Sequence, residues 1–107
     1  MDDTVKEAKA IIAEEVEKAG CHVRQIILFG SRATGKFRPD SDWDFYVIID
    51  RDLGVHKQEG IASKIRFRLA KEDIFADVFV QSAEVVNQRK GDTGYLTYYV
   101  LKEGATI

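Results

Sequence analysis

The chain predicts an α+β fold, a short mixed β-sheet with helices packed on it, from three features of its pattern. Apolar residues recur at three- and four-residue steps in some segments and form short unbroken runs in others. Glycines punctuate most of the junctions. The 107 residues suffice for one hydrophobic core, so a single domain spanning 1–107 is expected.

Val5, Ala8, Ile12, Val16 and Ala19 share one helical face, with Lys and Glu between them. Thr4 is the expected N-cap of this helix and Gly20 its C′ residue. Residues 23–29 end in the apolar run Ile26-Ile27-Leu28-Phe29 and read as a buried strand. Arg32 to Ser41 reads as a short turn of helix plus a loop, because Gly35 and Pro39 interrupt it. Asp42 to Ile49 reads as a second strand, and Asp50 to Gly54 as a polar turn.

Ile61, Ile65 and Leu69 mark a second long helix over 55–70, weakened at Gly60 by about 1 kcal/mol relative to Ala. Residues 74–80 form a third strand. Ser82 caps a short helix running to Arg89, residues 91–94 break the chain, and Tyr95 to Glu103 forms a last helix stopped by Gly104. Core packing is the expected fate of Tyr95, Leu96, Tyr98, Tyr99 and Val100, the alternative being a partly exposed Tyr98 or Tyr99 at a protein interface.

The composition excludes several functions. A net charge of −2 argues against a protein whose main task is gripping nucleic acid. Apolar and charged contents of 45% and 32% are those of an ordered globular protein. One cysteine, Cys21, permits no internal disulfide and fits a reducing compartment. With no long apolar run and no leader pattern at Met1-Asp2-Asp3, a cytoplasmic protein is expected. His22 and His56 have no ligand-like spacing to each other or to Cys21, which makes a zinc site improbable.

Chemistry concentrates between Gly30 and Phe45. Asp42 and Asp44 stand two apart at the start of a strand, so both carboxylates point to one side, their Cα atoms about 6–7 Å apart. Two like charges there repel by about 3 kcal/mol at an effective dielectric near 20. Solvent, a shared proton or a cation must offset that cost, and hard cations such as Mg²⁺ prefer carboxylate oxygens.

Asp77 sits in a strand whose neighbours, Phe75, Ala76, Val78 and Phe79, are apolar. An unpaired charge buried there would be costly, so Asp77 is expected to join the other two acids on one face. The alternative is an edge strand with Asp77 turned to solvent. Gly30-Ser31 follows a strand and opens a helical turn, where backbone N–H groups and the Ser31 hydroxyl can meet phosphate oxygens. Arg32, Lys36 and Arg38 add positive charge nearby. Arg32 and Arg38 are candidates to hold a triphosphate, and Lys36 reads better as a solvated loop residue. The segment has neither the Lys-Ser/Thr ending of a P-loop nor a three-glycine dinucleotide fingerprint.

Taken together, Gly30-Ser31, ten intervening residues and Asp42-x-Asp44 resemble the signature of the DNA polymerase β-like nucleotidyltransferases. The surrounding residues are similar to the minimal nucleotidyltransferase branch. Asp77 matches its third acidic position, and Leu101 to Gly104 look like its last helix end. Thr34 departs from the pattern, where a basic residue is common.

The resemblance implies a two-metal mechanism, with Asp42 and Asp44 bridging two Mg²⁺ ions (Mn²⁺ as a substitute) and Asp77 completing the metal nearer the acceptor. It also implies ATP as donor, with Gly30 and Ser31 on its triphosphate. A HEPN protein is the implied partner, one of its tyrosines being adenylylated by this antitoxin-type enzyme. Two other functions remain open: an antitoxin that masks its partner by contact alone, and a nucleotidyltransferase for a small molecule such as an aminoglycoside.

Overall fold

Over residues 3–107, which the computed structural model describes, nine elements follow one another. They are α1 (Asp3–Lys18), β1 (Val23–Phe29), α2 (Ser31–Thr34), β2 (Trp43–Ile49), α3 (Val55–Lys71), β3 (Ala76–Ser82), α4 (Ala83–Arg89), α5 (Leu96–Glu103) and β4 (Ala105–Thr106). The strands form one mixed sheet in the order β3-β2-β1-β4. β1 runs antiparallel to β2 and β4, whereas β2 and β3 are parallel and joined by the α3 crossover.

Strand periodicity divides the sheet into two faces. Phe45, Val47 and Ile49 of β2 point with Val78 of β3 into the larger core, against Ile12 and Val16 of α1 and Ile61, Ile65 and Leu69 of α3. The opposite face packs Ile27, Tyr46 and Ile48 on Val86 of α4 and Val100 of α5. Three layers result, and the expected α+β sheet with packed helices is what the chain forms.

The helix ends follow local chemistry. Gly20 adopts φ +87°, and the Cys21 N–H reaches the Val16 carbonyl, closing α1 as its glycine predicts. Thr4 lies inside the first turn of α1 rather than before it, and Ala19 falls beyond the helix, exposed. Asp73 takes the same left-handed role after α3, at φ 58°, with the Ile74 N–H bonded to the Leu69 carbonyl. Ser82 caps α4 as expected, its hydroxyl accepting from the Val85 N–H at 3.2 Å.

Gly104 ends α5 for a different reason. Its φ is −78°, open to any residue, but a Cβ there would collide with Ile27 Cγ2 and the Val100 carbonyl. The close approach lets β4 pair with β1, a strand the sequence pattern does not announce.

Two expectations fail. The third strand spans 76–82 rather than 74–80, because Ile74 belongs to the turn that closes α3. The residues of the last helix are not generally core: Thr97 and Val100 are buried, while Tyr95, Leu96 and Tyr99 are 41–48% exposed. One short helix resting on a sheet can bury only a narrow stripe.

β3 is an edge strand, and α3 guards it. Arg66 donates to the Val78 carbonyl at 3.0 Å and Gln58 to the Val80 carbonyl at 3.4 Å, occupying acceptors that another strand would otherwise seek. None of the described helices is long and apolar enough to cross a membrane.

Phe45 is fully buried at the centre of the larger core. Phe45→Ala is expected to cost about 3–5 kcal/mol of stability, measured by urea unfolding.

Candidate active site

The parallel register of β2 and β3 makes Asp44 and Asp77 direct neighbours. Adjacent strands lie about 4.8 Å apart, and in-register side chains share a face, so the two carboxylates stand side by side. Phe29 of β1 completes this row on the far side of Asp44. Next come Ile27, Tyr46 and Phe79, the row on which α5 rests. The acids therefore occupy the open end of the face that carries α4 and α5.

Asp42 precedes β2 at the end of the loop and is exposed. Asp44 is half-buried. Burial first, and then the charges of Asp77 and Asp42, raise its carboxyl above the ordinary range. Each of the other two acids thus bears electrostatically on Asp44. Among the described residues no three acidic, histidine or cysteine side chains converge closely enough to hold an ion by themselves. The donors are nonetheless all carboxylate oxygens, which suit hard cations, and such ions commonly complete their shell with water and substrate phosphate.

Asp77 meets Asp44 through the expected pairing of its strand with β2, but not as a buried group. It is exposed, not buried, because β3 is the sheet edge. The solvent-facing alternative is correct about its burial, yet the register still sets it beside Asp44. Lateral pairing brings the acids together, without any penalty of burying Asp77.

Gly30 links β1 to α2 at φ 73°, ψ −158°, a conformation essentially reserved for glycine. A Cβ at Gly30 would also overlap Asp44 Oδ2, so the backbone can lie against the carboxylate only without a side chain. Ser31 follows at the start of α2, half-buried, ahead of the Ala33 and Thr34 N–H groups that bond back to the Gly30 carbonyl at 3.1 and 3.3 Å. Arg38 is exposed in the loop, and its backbone N–H donates to Ser41 Oγ at 2.8 Å.

Arg32 is placed differently from Gly30 and Ser31. Its guanidinium donates to the Ser41 carbonyl at 2.9 and 3.2 Å and to the Pro39 carbonyl at 3.2 Å. It also lies over the Phe37 and Trp43 rings, 4.5 Å from each centroid. Trp43 alternates with Asp44 along β2 and stacks on Phe45, so Arg32 sits behind the strand rather than on the carboxylate side.

Residues unremarked in the sequence complete the surroundings. Tyr46, two residues after Asp44, shares a 2.6 Å hydrogen bond with Thr97 and so ties α5 to the acid-bearing strand. Its burial raises the phenol above its usual range. A tyrosine inside an apolar strand requires a partner for its hydroxyl, a signal that could have flagged it. Arg89 lies over the Tyr95 ring at 4.3 Å.

A cavity of about 190 Å³ opens beside Gly30, bordered by Phe29, Thr34, Leu96, Tyr99 and Glu103. A wider cleft of about 680 Å³ lies at the other end of this face, near Gln25, Ile48 and Asn87, and holds none of the three acids. The acids and Gly30, not cleft size, mark the site.

The family model for polymerase beta nucleotidyltransferases matches residues 9–107, nearly the whole chain. This chain belongs to that family. It is a nucleotidyltransferase, and the polymerase β-like fold expected from its sequence is the one observed. It is similar to the protein adenylyltransferase MntA of Aphanizomenon flos-aquae (strain 2012/KM1/D3), 48% identical over 31 residues. That alignment covers 29% of this chain and 21% of the relative, about a fifth of the relative's length.

The raised Asp44 carboxyl carries a stability consequence. Folding favours its protonated form, so its contribution is fully present below the unfolded pKa and lost as pH rises through the folded one. Asp44→Asn is therefore expected to show a higher Tm than the parent near pH 7 in metal-free buffer. The gap should close by about pH 3, where an ordinary aspartate is protonated too, as calorimetry across pH can check.

Proposed function

We propose that this single domain transfers a nucleoside monophosphate, AMP foremost, from a nucleoside triphosphate to a hydroxyl of a partner protein. The observation that carries the proposal is the in-register pair Asp44–Asp77, with Asp42 beside it and the Cβ-free backbone of Gly30 against Asp44.

Asp42, Asp44 and Asp77 would hold divalent cations, Mg²⁺ or Mn²⁺, as oxygen donors. When bound, such ions neutralise the triphosphate and acidify the attacking hydroxyl. Gly30 and Ser31 receive triphosphate oxygens through backbone N–H groups and the Ser31 hydroxyl. Arg38, exposed at the loop, is free to turn its guanidinium to the leaving pyrophosphate. Asp77, at the solvent-facing edge, is the acid an incoming acceptor meets first, and so orients its hydroxyl.

The acceptor is proposed to come from a separate protein. Leu96 and Tyr99 line the cavity beside Gly30 and Phe79 stands one row from Asp77, all 42–48% exposed. Exposed aromatic and aliphatic side chains beside a reaction site suit a protein surface better than a polar small molecule. MntA is named a protein adenylyltransferase, in keeping with this choice. A HEPN protein with an acceptor tyrosine, silenced by the modification, is the partner the resemblance implies. The same rim would serve a contact-only antitoxin, and the acids separate the two functions.

Incubation with ATP, Mg²⁺ and the partner is expected to add AMP units to the partner, read by intact mass. Asp42→Ala and Asp77→Ala should each slow that gain by about a hundredfold or more, at least the effect of losing one electrostatic stabiliser of a transition state. No mass gain with the unaltered protein would sink the proposal. Neutralisation of the partner that survives Asp42→Ala would establish the contact-only function instead.

A further inference from the structure

Two of the three acids are held by the sheet and one is not. Asp44 and Asp77 lie within β2 and β3 and are fixed by the ladder between them. Asp42 lies outside it, since the first sheet-side bond on its strand is Trp43 N–H to the Phe75 carbonyl at 2.9 Å. Upstream, residues 36–42 form no regular secondary structure, and 36–40 are exposed. Asp42 carries a like charge that bears on Asp44 and its backbone lies outside the ladder, so another contact is needed to hold it.

Arg32 meets that need. Its donors grip the carbonyls of Pro39 and Ser41, the latter immediately before Asp42. Its plane rests on Trp43, immediately after Asp42, and on Phe37 at the start of the loop. The Arg38 N–H bond to Ser41 Oγ closes the same turn from within. Only a planar guanidinium can bond two carbonyls along its edge while its faces stack on rings; a lysine ammonium offers no such plane.

We propose that Arg32 is a positioning residue that clamps residues 37–43 and thereby sets Asp42 against Asp44 for cation binding. The proposal rests on the metal-binding role given above to the acids, and it departs from a triphosphate contact for Arg32.

Trp43, the sole tryptophan, lies between Asp42 and Asp44 and under Arg32, so its fluorescence reports the clamp directly. The test titrates Mn²⁺ into the folded protein with a saturating non-hydrolysable nucleoside triphosphate, whose phosphates complete the ion's shell, following Trp43 emission together with free Mn²⁺ by electron paramagnetic resonance against a nucleotide-only control. Arg32→Ala is expected to weaken Mn²⁺ binding by about tenfold, a loss of about 1.4 kcal/mol, and to shift Trp43 emission to the red. Arg32→Lys should restore little of either. At saturating metal, KM for the nucleoside triphosphate should stay within about twofold of the parent, because the guanidinium is not on the phosphate side.

Phe37→Ala, at a residue 48% exposed, provides a milder variant should Arg32→Ala unfold, and is expected to weaken Mn²⁺ binding in the same direction. Mn²⁺ binding unchanged in Arg32→Ala, or in Phe37→Ala if that is the variant that folds, overturns the clamp. So does a rise in triphosphate KM with metal binding intact, which would make Arg32 a phosphate ligand. No Mn²⁺ response in the unaltered protein refutes the metal role of the acids and takes the clamp with it.

Discussion

Repulsion between Asp44 and Asp77, imposed by the parallel pairing of β2 with β3, is the constraint around which the site end of the molecule is arranged. Two carboxylates on neighbouring strands cost about 3 kcal/mol unless solvent or a cation intervenes. They are tolerable because they occupy the first row of the sheet, where water reaches them. One row deeper, a carboxylate at Tyr46 would lie beneath α5 and lose that solvation. Behind them Phe45, Val47 and Ile49 are wholly buried, and this core keeps the strands from parting under the charge.

The two faces of the sheet divide the work. Toward α1 and α3 the chain buries an unbroken apolar surface, which is where most of the folding free energy arises. Toward α4 and α5 the rows grade from charged at the open end to mixed and apolar beneath the helices. The Tyr46–Thr97 hydrogen bond fixes α5 on this second face, yet leaves Leu96 and Tyr99 in solvent close to the acids.

Much of the fold could be read directly. Apolar steps located α1 and α3, unbroken apolar runs located β1 and β2, and Ser82 announced the start of α4, since each signal is local and repeats over a turn or more. β4 could not be read, because two residues carry no period and become a strand only by meeting β1 beside a glycine. α5 was misjudged for a related reason: its apolar residues exceed the width of sheet available, and that width is set by other segments.

By itself, the sequence determined the chemical inventory: a glycine-serine turn after a strand, two aspartates in strand alternation and a third in an apolar strand. Those are covalent facts of spacing, from which strand alternation predicts Asp42 and Asp44 on one side. Only the tertiary structure decided that Asp77 is exposed and still adjacent to Asp44, because strand order and register arise from long-range pairing. It alone also set Arg32 behind β2, gripping Pro39 and Ser41, where the sequence offered a cation close to the acids and no direction for it. Spacing along a chain fixes which side of a strand a residue takes; which neighbours it finds there depends on how distant segments pack.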